Sequence, residues 1–253
     1  MPCILGILDF RSIGVLTTQA GLTHSRLRVS DQVEGQLMAI TGKNKDLNFT
    51  TLKRTLQRFQ SERLNRTYAE LKADPQYTAI GDFFFNRLYA PEDFAFRDTS
   101  IKNLQHILEG RIYRPITSAM LKVVKLHELS DGLDELMVAK MIETGIGTEL
   151  SLDQYRMVYR QLDNYDQRVY QINLTIDVIR VFHGLSQKWI VAASLKTVTV
   201  AAHLLKVGKI LDFINEGYLA FREIKSIDYF VNTIARKEMA WHDKLWQETK
   251  IDT

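Results

Sequence analysis

The sequence predicts an all-α protein, a multi-helix bundle of about seven to nine helices. Three observations predict it. The four prolines fall at 2, 75, 91 and 115, so no helix breaker of that kind occurs after Ile116. Apolar residues recur in steps of three and four through most of the chain, the spacing that lines one face of a helix. Strand is expected at most within the first 22 residues.

The 253 residues can bury a sizeable core, and 45% hydrophobic with 25% charged residues is ordinary for a globular chain. The formal charge of +3 is too small to point to nucleic acid or an anionic membrane. A single cysteine, Cys3, excludes an intrachain disulfide and any multi-cysteine metal site. A soluble, cytoplasmic protein is the expectation.

Residues 1–22 are expected as an N-terminal arm or extension, with a short non-helical arm as one reading. Asp9 and Arg11 interrupt their apolar run, and no basic residue precedes it, so a secretory signal does not fit. Residues 23–253 are expected as one all-helical domain, with a candidate hinge near 144–150. A first helix fits 23–42, with Gly42 closing it. Asn48 is then placed to cap a helix from Phe49 to Lys72, ended by Asp74-Pro75. Lys43 to Lys72 holds eight Lys/Arg against three Asp/Glu, expected as a solvated helix face rather than a docking patch. A short helix follows from Tyr77 to Tyr89 through Phe83-Phe84-Phe85. Neighbouring rings on a helix lie about 100° apart, so this one must be covered on several sides.

Pro115 suits the first turn of a long helix running toward Ile142, which Ser130 and Gly132 are placed to interrupt. Glu128 to Asp153 carries seven acidic residues and one lysine. It either faces the basic stretch 43–72 or serves a separate contact. Tyr155, Val158, Leu162, Tyr165, Val169, Ile172, Ile176 and Ile179 then mark one long helix with a narrow seam. The seam packs inside the bundle or forms a homodimer, and its short length favours the first. His183-Gly184 ends that helix. Trp189 to Leu205 is apolar all round, but Lys196 near its middle argues for a buried helix rather than a membrane span. A helix from Gly208 to Gly217 and a last one from Asp228 complete the chain.

One stretch reads as a signature. Phe84, Phe85, Leu88, Tyr89, Pro91, Asp93, Phe94, Arg97 and Asp98 resemble the pattern Phe-Phe-x-x-x-Leu-Tyr-Gly-Pro-x-Asp-Phe-x-x-Arg-Asp of an uncharacterised all-helical proteobacterial family. Ala90 stands where that family has glycine. The resemblance extends from about residue 50 to about 238, through Gly217-Tyr218-Leu219-Ala220-Phe221. It implies the fold class and brings no activity with it.

Chemistry is sparse. Tyr89, Asp93, Arg97 and Asp98 are the candidate site: a structural clamp, with Arg97 holding a carboxylate, or a small polar binding pocket. No Glu-x-x-His pair, Walker loop or nucleophile elbow occurs, and no cofactor and no metal are expected. Glu238 and His242, four apart, share a helix face and are expected at the surface. His183 and His203 have the position of axial haem ligands, but a satisfied core or helix-end histidine is the commoner arrangement. The function expected is a non-enzymatic helical scaffold or interaction protein, with protein partners and without nucleic acid. The alternative is a ligand- or metal-binding helical enzyme with a dispersed site near Tyr89–Asp98.

Overall fold

The computed structural model describes residues 46–83, 114–191, 193 and 208–247. Among them run the helices α1 Asp46–Thr67, α2 Ala69–Ala73, α3 Thr78–Asp82, α4 Arg114–Glu143, α5 Leu152–Gln161, α6 Tyr165–Ser186, α7 Gly208–Arg222 and α8 Asp228–Trp246, and residues 189–191 and 193 are helical as well. No strand occurs among the described residues. No helix among them is long and apolar enough to cross a membrane. The arm, the first expected helix, His203 and the candidates Tyr89, Asp93, Arg97 and Asp98 lie outside the described residues.

Among the described residues two large apolar clusters make most of the core, and a smaller one gathers Ala119, Leu185 and Val191. The first takes Leu64, Tyr68, Leu126, Val178, Ile179, Phe230 and Ile234, among others. The second takes Leu52, Leu56, Met137, Met141, Tyr155, Val158 and Leu245. Helix α1 starts in the second cluster and ends in the first, and α4 does the reverse. The pair α5–α6 again runs from second to first, and α8 from first to second. Four chain segments therefore cross between the clusters in alternating senses, each presenting one apolar stripe per turn to its neighbours.

Local chemistry sets the helix ends. Pro115 sits in the first turn of α4, where its missing N–H removes no helical bond. The expected interruption at Ser130 and Gly132 does not occur, and α4 runs unbroken to Glu143. Its end is a Schellman motif. Gly145 takes φ +70°, its N–H donates to Ile142 O, and Ile146 N–H donates to Met141 O. Buried Ile146 seats that turn on the second cluster. Ser151 then opens α5 with a capping box, its hydroxyl accepting from Gln154 N–H while the Gln154 side chain takes Ser151 N–H.

The single long helix expected through Tyr155 and Ile179 is two helices. The chain breaks at Leu162–Asn164, where Asp163 takes φ 46° and its N–H donates to Arg160 O. An aspartate tolerates that left-handed geometry better than most residues, which is why no glycine or proline marks the break. Tyr155, Val158, Ile172 and Ile179 are buried inside the chain, whereas Tyr165 is 37% exposed. Other expected boundaries also move. Asn48 lies within α1 rather than capping it, Tyr68 separates α1 from α2, and His183-Gly184 is passed by α6. Gly217 is inside α7, and a Cβ there would stand 2.6 Å from Phe83 Cζ, so glycine lets the ring pack on the helix backbone.

Candidate functional site

Between the two clusters lies a layer of buried polar side chains drawn from α1, α4, α6 and α8. Arg63, Gln60, Ser130, Asp134, Arg168, Gln171, Glu238 and His242 are all buried. Each stands at the step in its helix where an apolar residue would continue the stripe. Arg168, Gln171 and Thr175 space three and four apart beside Ile172 and face the core with it.

One half of the layer is a closed ion pair. Arg63 donates from Nη1 to Glu238 Oε1 at 2.6 Å and from Nη2 to Oε2 at 2.9 Å. Tyr68 donates its hydroxyl to Oε1 at 2.7 Å. Burial alone would push the Glu238 carboxyl up. The guanidinium attraction and these hydrogen bonds outweigh it, holding the carboxyl at about 2. Arg63 is raised in turn: burial would lower it, and Glu238 reverses the sign. The guanidinium also lies 5.3 Å from the Trp241 ring centroid. Such a two-pronged pair is among the stronger polar contacts a core can hold.

The other half centres on Tyr159, whose hydroxyl lies 2.9 Å from His242 Nδ1. Tyr165 packs on the imidazole at 4.2 Å between ring centroids, tilted by 41°, and Trp246 closes the group edge-on. Burial holds the imidazole well below its ordinary value, so it is neutral. Burial likewise pushes the Tyr159 phenol up to about 12 and raises Tyr155 further. Arg168 lies over the Tyr159 ring at 4.9 Å. Its Nη1 donates to Gln171 Oε1 at 3.4 Å and its Nη2 to Leu133 O at 3.3 Å. Gln171 Nε2 donates onward to Ser130 Oγ at 2.8 Å, and Gln60 Nε2 to Asp134 Oδ1 at 3.3 Å. This half is incompletely satisfied: Arg168 Nε, His242 Nε2, Trp246 Nε1 and both side-chain atoms of Asn164 are buried without a hydrogen-bond partner among the described residues.

Glu238 and His242 do share a face, but it is the core face and not the surface expected for them. Four-residue spacing fixes only that they align; which way the face points depends on what Arg63 and Tyr159 bring from other helices. Arg63 itself stands in the basic stretch expected as solvated. The sequence does contain a signal for it, since Gln60, Arg63 and Leu64 step three and four with Leu56. The acidic and basic stretches do meet: Lys53 Nζ lies 2.5 Å from Asp131 Oδ1 and 3.5 Å from Glu135 Oε1. Burial would lower that ammonium, but the carboxylates prevail and raise it. His183 Nε2 lies 2.8 Å from Ile224 O, tying the end of α6 to the loop after α7. Among the described residues, no group of three or more His, Cys, Asp or Glu is placed to hold a metal ion.

Fold and site together define an all-helical protein whose two apolar clusters are joined through a buried polar layer. Over residues 40–251 the chain matches the family described as a domain of unknown function (DUF8198), and it belongs to that family. Comparison with curated proteins gives no match, and comparison with solved structures gives none.

Proposed function

We propose that this chain is a non-enzymatic helical scaffold or interaction protein of the bacterial cytoplasm. The observation that supports the reading is the state of the buried carboxylate–arginine pair Arg63–Glu238. A general acid or base must present a lone pair or proton to a substrate. Both Glu238 oxygens are engaged by Arg63, with Tyr68 adding a third bond, in a geometry that locks α1 to α8. Lys237 repeats that link in a half-buried position, donating to Thr67 O at 2.7 Å. The signature residues Phe84 to Asp98 carry the narrower, proteobacterial family membership in this reading, with Arg97 as a clamp.

Elemental analysis and an absorption spectrum of the purified full chain test it. Only the aromatic band and no stoichiometric metal are expected. Bound iron, haem or another chromophore would favour the alternative, a ligand- or metal-binding helical enzyme with its site near Tyr89, Asp93, Arg97 and Asp98. Arg97→Ala separates the two readings again: a clamp loses stability, whereas a binding residue leaves the unfolding midpoint in place and loses the ligand.

A further inference from the structure

We propose that the junction between α5 and α6 is a binding site for a small oxyanion, held by Arg168 and Asn164 at the start of α6. The two arginines buried among the described residues differ sharply. Arg63 has a carboxylate at 2.6 and 2.9 Å. Arg168 is 1% exposed and, among the described residues, has only the neutral acceptors Gln171 Oε1 and Leu133 O, at 3.4 and 3.3 Å. A buried cation without a counter-charge is strongly unfavourable, and a π face at 4.9 Å offsets only part of that cost.

The donors that face no acceptor are grouped. Arg168 Nε is one and Asn164 Nδ2, one turn earlier, is another; Asn164 Oδ1 also lacks a partner among the described residues, so the amide is free to turn Nδ2 toward an anion. Asn164 is the residue preceding the 22-residue helix α6, where its side chain ordinarily accepts from a first-turn N–H; here it makes no such bond, although it is 7% exposed. Asn164 and Arg168, four apart, share a face at the N-terminal, positive end of α6, and among the described residues neither has an acceptor of negative charge. A water molecule supplies an acceptor but no charge; a carboxylate or phosphate supplies both. The nearby acids are otherwise placed. Asp134 Oδ1 accepts from Gln60, and Asp163 and Asp166 are exposed. Asp163 and Tyr165, both exposed, flank Asn164 and put the junction within one residue of solvent. This site stands apart from the Arg63–Glu238 pair and does not depend on the scaffold reading.

The test uses the full chain in chloride buffer, titrated at constant ionic strength with sodium phosphate or with sodium acetate, and followed by calorimetry and unfolding midpoint. Saturable binding with a rise in midpoint is expected for one of them, because a ligand that binds only the folded chain stabilises it. The anion that acts identifies the class, phosphate-type or carboxylate. Asn164→Ala should raise the apparent Kd about tenfold, the scale of one lost buried hydrogen bond to a charged group. Arg168→Met should abolish the response; if that variant does not fold, Asn164→Ala decides. Two results would overturn the proposal: responses to both anions no larger than to chloride, or an Asn164→Ala variant that binds like the parent.

Discussion

At the scale of single residues, the pair Arg63–Glu238 is where energetic consequences are largest. Removing one partner strands the other as a buried charge, and such truncations cost about 3–5 kcal/mol. Arg63→Met and Glu238→Leu should each destabilise on that scale in denaturant titration. The double variant should recover most of the loss, since two apolar side chains of similar volume need no counter-charge. If the double variant is as unstable as the sum of the singles, the pair is not the origin of the effect. The histidine gives a separate pH signature. Its folded value is depressed to about 4 from an ordinary 6.5. The unfolded chain therefore takes up the proton first, and stability from this group, present above 6.5, is lost as pH falls toward 4. Glu238 is also depressed, so its contribution is lost only at lower pH, from about 4.5 down to about 2. Subtracting the stability–pH curve of His242→Gln from that of the parent should leave a slope confined to the upper window. A difference curve that is flat there would show that the imidazole is not buried neutral.

At the scale of elements, what was legible in the sequence depended on apolar spacing. α8 begins at Asp228 and buries Phe230, Val231, Ile234 and Leu245, as their spacing requires. The break between α5 and α6 was not legible because Leu162 and Tyr165 keep the seam in phase across it, and an aspartate rather than a glycine takes the positive φ. Gly217 shows the converse: a glycine expected to end a helix lies within one, because a ring needs the space. Two effects compete in Gly217→Ala. Alanine gains about 1 kcal/mol of helix propensity. Its Cβ would also meet Phe83 at 2.6 Å, and overpacking costs about 1–3 kcal/mol. The larger effect should win, so the variant should unfold at lower denaturant. In a Phe83→Leu background, with the ring gone, the same substitution should stabilise by about 1 kcal/mol. Equal effects in both backgrounds would mean that Phe83 does not rest on α7.

At the scale of the whole molecule, the all-α class and the apolar clusters follow from a pattern the sequence displays openly, whereas the polar layer between them does not. Arg63, Arg168 and Glu238 carry charges, and a charge read one residue at a time counts as solvent-facing. For Glu238 the partners that reverse that reading, Arg63 and Tyr68, lie more than a hundred residues away. Because α1, α4, α5–α6 and α8 all pass through the layer, the two clusters are expected to unfold as one cooperative unit. Trp241 and Trp246 pack on the second cluster while Trp189 is 80% exposed, so a change in tryptophan fluorescence reports mainly that cluster, and circular dichroism reports every helix. The two signals should share one unfolding midpoint, the mark of a two-state transition. Ile172 tests the same coupling from within. It is 2% exposed next to Gln171, and an aspartate there would be buried without a partner. Ile172→Asp should abolish both signals together. A variant that stays folded and passes only from dimer to monomer would instead place that residue at an interface between chains, and loss of the fluorescence change alone would divide the molecule at the layer.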